Sequence, residues 1–95
     1  MEIKCTKGYI MNEIDNDLVL VPCHENTAKF KKMFYTSGVG ADIICILNKK
    51  DDFMSIEEIA DSILELYDVE KEVILKDIQN FIEKLIEAEI VVAKV

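Results

Sequence analysis

The chain has 95 residues, with 19 Asp+Glu against 11 Lys+Arg, for a net charge of -8. That length holds a single domain over residues 1–95, with a core burying about 60–65% of the unfolded surface and no room for a deep, dry catalytic cavity with a cofactor. The charge argues against a nucleic-acid backbone and an anionic membrane surface, and a hydrophobic share of 51% argues against disorder.

The chain opens on MEIKCTKGYI, which has neither the apolar run nor the cleavage pattern of a signal peptide. No stretch approaches the roughly 20 apolar residues of a membrane span. Cys5, Cys23 and Cys45 are odd in number, with no CxxC pair, which fits a reducing, cytoplasmic setting. Cys23 and His24 are neighbours, but their side chains diverge on an extended chain and no third ligand stands nearby, so no metal site is read here.

Tyr9–Met11 is β-prone, Asp15-Asn16-Asp17 is a turn, and Leu18–Val21 is a second strand ended by Pro22, which together predict a hairpin. Cys23 to Lys29 is polar and reads as a loop. Phe30–Tyr35 is the third strand, its alternation broken by the adjacent Met33 and Phe34. After Tyr35 the period changes. Ser37 is placed to cap a helix running to about Leu47, with Ala41, Ile44 and Leu47 on one face.

Asn48–Asp52 is a turn. Met54-Ser-Ile-Glu-Glu-Ile59 then carries a capping box, Ser55 with Glu58, and a hydrophobic staple, Met54 with Ile59. The helix that follows runs to Tyr67. Asp68 is placed to cap a third and longest helix ending near Ala88, with Val69, Val73, Ile74, Ile78, Phe81, Ile82, Leu85 and Ile86 apolar. Ile90–Val92 is extended, as a strand or a packed tail. The expected fold is α+β and winged helix-turn-helix-like: a three-stranded antiparallel sheet within residues 8–35, then three helices within residues 37–88.

The residues point away from catalysis. Gly38-Val-Gly40 lacks the further glycines and the Lys of a phosphate cradle, and His24 has no base partner. A DNA-reading helix needs cations. The third helix instead offers Glu70, Glu72, Asp77, Glu83, Glu87 and Glu89 against Lys71, Lys76 and Lys84, and the chain has no Arg. The acid is concentrated in residues 51–95, with thirteen acidic residues against four Lys, while residues 1–50 carry a surplus of one positive charge.

The order Gly40-Ala-Asp-Ile-Ile44, Leu47, Ser55-Ile-Glu-Glu-Ile59-Ala60, Leu66-Tyr67-Asp68-Val69, Asp77-Ile78 and Phe81-Ile-Glu-Lys-Leu85 resembles the PqqD-like family of peptide-recognition elements. The likeness covers nearly the whole chain and is strongest over residues 37–92. Two positions depart from the family pattern: Thr36-Ser37 stands where Leu-Asn is frequent, and Ile44 where Trp is frequent.

The resemblance implies a non-catalytic protein without cofactor that binds the leader of a ribosomally made precursor peptide. The leader would add as a strand beside the third strand and lie against the third helix. The domain would present it to a radical SAM enzyme or a leader peptidase. The expected contact residues are Lys31, Lys32, Met33, Phe34 and Tyr35 at the edge, and Lys76, Gln79, Asn80 and Glu83 on the helix, with Ile78 or Ile82 as an apolar floor. Lys29 joins Lys31 and Lys32 as a small basic cluster for acidic leader residues or the partner enzyme. The alternative is a winged-helix regulator or another protein-interaction module. An exposed sheet edge can also pair with a second copy as a homodimer.

Overall fold

The computed structural model describes residues 1–6, 9–15, 17–22 and 33–94. The loop expected over Cys23 to Lys29, the Cys23-His24 pair, and the Phe30–Lys32 part of the third strand lie outside these residues.

Two three-stranded antiparallel sheets and three helices form the α+β fold. In the first sheet, β2 (Tyr9–Ile14) and β3 (Asp17–Pro22) make the expected hairpin, with Asp15 left-handed at its turn (φ 57°). Asp tolerates that conformation better than most residues. β4 (Phe34–Ser37) pairs on the other side of β3. The register follows burial. Leu18 opposes Thr36 and Leu20 opposes Phe34, and both leucines are buried. Val19 opposes Tyr35 on the outer face.

The pairing of β4 corrects the expected cap. Ser37 is the last residue of β4, opposite Asp17, and does not start the helix. Gly38 makes the strand-to-helix turn at φ 61°, ψ -132°, and no side chain caps α1 (Val39–Lys50). Only glycine adopts that conformation without strain, so backbone geometry here outranks a capping hydroxyl. Asp51, left-handed at φ 51°, closes α1 and donates its backbone N–H to the Leu47 carbonyl.

The capping box is formed as expected. The Glu58 N–H donates to Ser55 Oγ at 3.1 Å, and the Ser55 N–H donates to Glu58 Oε1 at 3.2 Å. Met54 and Ile59 are both buried beside it. α2 spans Ile56–Leu64, one turn shorter than its apolar pattern, because Tyr67 leaves the helix and donates its hydroxyl to Asp42 on α1. The connection to α3 (Lys71–Glu87) takes up Asp68, the expected cap. Glu70 holds that position instead, with no side-chain capping bond. An exposed Lys71–Asp61 ion pair, 3.4 Å, bridges α3 to α2.

The second sheet was not expected. β1 (Glu2–Cys5) is its central strand, between β5 (Met54–Ser55) and β6 (Val91–Lys94). β6 turns the extended end of the sequence into a strand. Glu89, left-handed at φ 61°, makes the turn out of α3, and the Ile90 N–H returns to the Leu85 carbonyl at 2.9 Å. The Tyr9 hydroxyl donates to the Ala88 carbonyl at 2.8 Å, tying the first sheet to the same turn. Ile3, opposite Met54 and Ala93, has no exposed surface.

The core gathers Ile3, Leu18 and Leu20 from the sheets, Ile43, Ile44 and Leu47 from α1, Ile59 and Ile63 from α2, and Ile78, Ile82 and Leu85 from α3. No polar or charged residue is buried among the described ones. A core without polar pairs is held by area and packing alone, so truncation costs most where burial is complete. Ile3→Ala is expected to cost about 2–5 kcal/mol, and Ser55→Ala about 1 kcal/mol through loss of the cap. Denaturant unfolding of the two variants checks the ranking. A smaller loss at Ile3 would mean that β1 is not integral to the core.

Candidate functional site

β4 has β3 on one side, and no strand among the described residues pairs with its other edge. The backbone N–H and C=O groups of that edge are an open template for another strand. What stands beside it is set by three elements. Phe34 on β4 meets Phe81 on α3 edge-on, with ring centroids 6.2 Å apart and planes at 63°. α1 enters the junction at Gly40. A Cβ there would lie 2.4 Å from Thr36 Oγ1 and 2.9 Å from Phe81 Cζ. Glycine costs a helix about 1 kcal/mol relative to alanine, and here it allows β4 and α3 to close on α1.

Next to the junction is a concavity of about 200 Å³, lined by Val39, Gly40, Ile43, Ile74, Asp77 and Phe81. Ile43 and Ile74 are buried and form its floor, and Asp77 is the exposed carboxylate at its rim. The volume is below the roughly 300–1,000 Å³ of ordinary small-molecule sites. It suits one side chain.

The expected contact residues divide around this pocket. Met33 is 65% exposed just before β4, and Phe34 is half-buried toward Phe81. Tyr35 points to the outer face, 63% exposed, and its hydroxyl donates to Asp17 Oδ2 at 2.6 Å. That hydrogen bond holds the Tyr35 phenol above its ordinary pKa. Lys29, Lys31 and Lys32 lie outside the described residues. Lys76, Gln79, Asn80 and Glu83 are all exposed on α3.

At about 100° per residue, Asp77 and Phe81 stand on the pocket flank of α3. Lys76, Asn80 and Glu83 point roughly away from the core, and Gln79 lies on the other flank. Ile78 and Ile82 are 0% and 1% exposed. They belong to the core, and the apolar floor is instead Ile43 and Ile74, beside the Phe81 ring. Val39, Gly40, Ile43, Ile74, Asp77 and Phe81 escaped the sequence reading as site residues. A glycine inside a helical pattern, with nothing local to require it, was the available signal of a close approach.

A larger concavity of about 490 Å³ lies on the opposite side of α1, between the hairpin turn and Tyr67. Glu13, Asp15, Asp17 and Asp42 line it, with the Cys45 thiol donating to Glu13 at 3.6 Å. No group of residues able to hold a metal ion occurs among the described ones. Burial first, then the Glu13 hydrogen bond, raises the Cys45 pKa. Burial and the nearby Cys45 push the Cys5 thiol up to about 11. Thiols raised in this way stay protonated near neutrality and make poor nucleophiles.

The family profile of Coenzyme PQQ synthesis protein D (PqqD) matches residues 17–91. Two solved structures share the fold. One, TbiB1 in complex with the TbiA(β) leader peptide, is 23% identical, with a TM-score of 0.78 over 97% of this chain and 98% of its own. The other, lasso peptide synthetase B1 complexed with the leader peptide, is 17% identical, with a TM-score of 0.73 over 98% of this chain and all of its own, 100%. No curated protein matches the sequence.

Two outcomes follow from this geometry. Gly40→Ala should lower stability by about 1–3 kcal/mol through overpacking, although alanine is the better helix former, and denaturant unfolding reads the sign. A gain in stability would show that Thr36 and Phe81 yield freely. The Cys5 thiol, raised in the fold from 9.0 to about 11, contributes stability fully below pH 9 that is lost as pH rises toward 11. Cys5→Ser should flatten that alkaline decline in a pH series of thermal melts, and an unchanged decline would remove Cys5 as its cause.

Proposed function

The chain belongs to the PqqD family, and from that premise we propose that it is a non-catalytic module binding the leader of a ribosomally synthesised precursor peptide at β4. One observation carries the reading: β4, whose second edge pairs with no described strand, packs through Thr36 and Phe34 on Gly40 and Phe81, two residues that line an apolar pocket sized for a single side chain. TbiB1 and lasso peptide synthetase B1, which share the fold, are each in complex with a leader peptide.

Strand addition divides the work between backbone and side chains. Main-chain bonds to the free edge supply affinity that tolerates many sequences, and pockets for alternate side chains supply choice. A leader strand beside β4 points every second residue inward, and one of these enters the pocket at Phe81. Ile43 and Ile74 form a floor already buried in the unbound fold, so little of the pocket has to be ordered on binding.

In this reading Met33, Phe34 and Tyr35 contribute the edge, and Lys31 and Lys32, outside the described residues, are the expected partners of acidic leader residues. Lys76, Gln79, Asn80 and Glu83 are the outward face of α3, available to the enzyme that receives the peptide, a radical SAM protein or a leader peptidase. The domain then binds the peptide and the partner enzyme performs the reaction. No helix among the described residues is long and apolar enough to cross a membrane. A substrate made on the ribosome places the work in the cytoplasm.

Successive N–H groups of a strand point to opposite edges. Of Tyr35→Pro and Thr36→Pro, one should break the β3–β4 ladder and lower the melting temperature. The other should leave the fold intact and weaken leader binding by about tenfold or more, through a lost edge donor. Isothermal titration with leader peptides, paired with thermal melts and the matching alanine variants, separates the two. Wild-type affinity in every folded proline variant would count against strand addition.

A further inference from the structure

Asp77 is the one polar side chain among the six described residues lining the pocket at Phe81. It is exposed, and among the described residues it has neither an ion pair nor a hydrogen-bond partner. In the free protein water satisfies it. A strand laid over the pocket removes part of that water, and a carboxylate so covered is costly unless a donor replaces it.

The neighbours of Asp77 sharpen the demand. Residues seven apart on a helix come back to nearly the same side. Lys84 therefore stands on this flank toward the end of α3, while Glu70, the N-cap, adds a carboxylate at its start. On this flank the cation Lys84 lies beyond Phe81, while Lys71 is paired with Asp61 and Lys76 points away from the pocket. Lys or Arg meets such a site well. The long apolar stem covers the pocket wall while the charged head reaches the carboxylate.

Resting on the leader-binding reading above, we propose that Asp77 is a specificity-determining residue of the groove. It selects leader segments in which a Lys or Arg stands next to the apolar residue that fills the pocket. A glutamate at that place is rejected by like charge, and a neutral residue leaves Asp77 without a partner. The occupant is thus an extended peptide with an apolar anchor and an adjoining cation. The small volume argues against a metabolite.

The probes are leader segments of ribosomally made precursor peptides, each prepared with Lys, Gln or Glu beside its apolar residues. They are titrated by fluorescence anisotropy into the whole chain. The wild-type protein should hold the Lys versions about tenfold more tightly than the Glu versions, with the gap narrowing at high salt. Asp77→Asn should abolish the difference, and Asp77→Lys should invert it. Asp77 is exposed, so both variants should fold, and thermal melts establish that each does.

The inference is overturned if folded variants keep the wild-type charge preference, or if wild type holds the Gln versions as tightly as the Lys versions. Binding that depends on β4 but ignores Asp77 removes this inference alone. No binding by any leader peptide removes the leader-binding reading and this inference with it.

Discussion

The site depends on a missing methyl group. Gly40 brings the backbone of α1 against Thr36 of β4 and the Phe81 ring of α3 at distances that no Cβ permits. The contact does three things at once. It sets α1 close under the sheet, fixes where the Phe34–Phe81 pair can sit, and leaves the pocket to one side of that pair. Helix propensity argues for alanine by about 1 kcal/mol, so the glycine is locally unfavourable and is retained for packing. A residue that weakens its own helix to let two other elements meet is a constraint on the whole arrangement.

The rest of the fold holds that junction still. α3 carries Ile74 and Phe81 to the pocket on one flank and Ile78, Ile82 and Leu85 to the core on its buried stripe. One helix thus serves as both wall and foundation. Its far end is tied down by the turn through Glu89 into β6, by β6 on β1, and by the Tyr9 hydroxyl on the Ala88 carbonyl. The second sheet therefore acts on the site from a distance. It pairs β1 with β6, the strand that follows α3, and so anchors the end of that helix. Among the described residues, β4 offers Phe34–Ser37 to that free edge.

What was legible in the sequence follows from how local each signal is. The capping box at Ser55 and Glu58 involves residues three apart and formed as read. The hairpin turn at Asp15 is equally local. The long apolar period of α3 survived because many residues agree on it. Ser37 and Asp68 failed as caps for a different reason. Each is a good cap in isolation, but Ser37 is held by its pairing opposite Asp17 and Asp68 by the Tyr67–Asp42 tether. Strand β1 was invisible because the alternation Glu2-Ile3-Lys4-Cys5 is too brief to stand out, and its partners lie more than fifty residues away. The site was legible as an edge and a helix, but not as a pocket. Its lining comes from α1 and from the flank of α3, and only tertiary contact says which flank faces inward.

The uneven charge of the chain then takes on a more specific meaning. Thirteen acidic residues after position 50 make the helical half a poor surface for nucleic acid, but most of that acid is solvated and says little about a partner. Asp77 differs by position. It is the carboxylate that borders an apolar pocket beside an open strand edge, where covering it has an energetic consequence. Strand addition by itself selects weakly, because backbone bonds are common to all peptides. A single apolar pocket discriminates only by size and shape, at about 1–3 kcal/mol per methylene. A charged group at the pocket mouth adds discrimination of another kind, since it penalises the wrong neighbour as well as favouring the right one. A domain this small cannot enclose its ligand, and one well-placed charge beside one small pocket lets it choose among peptides that all offer the same backbone.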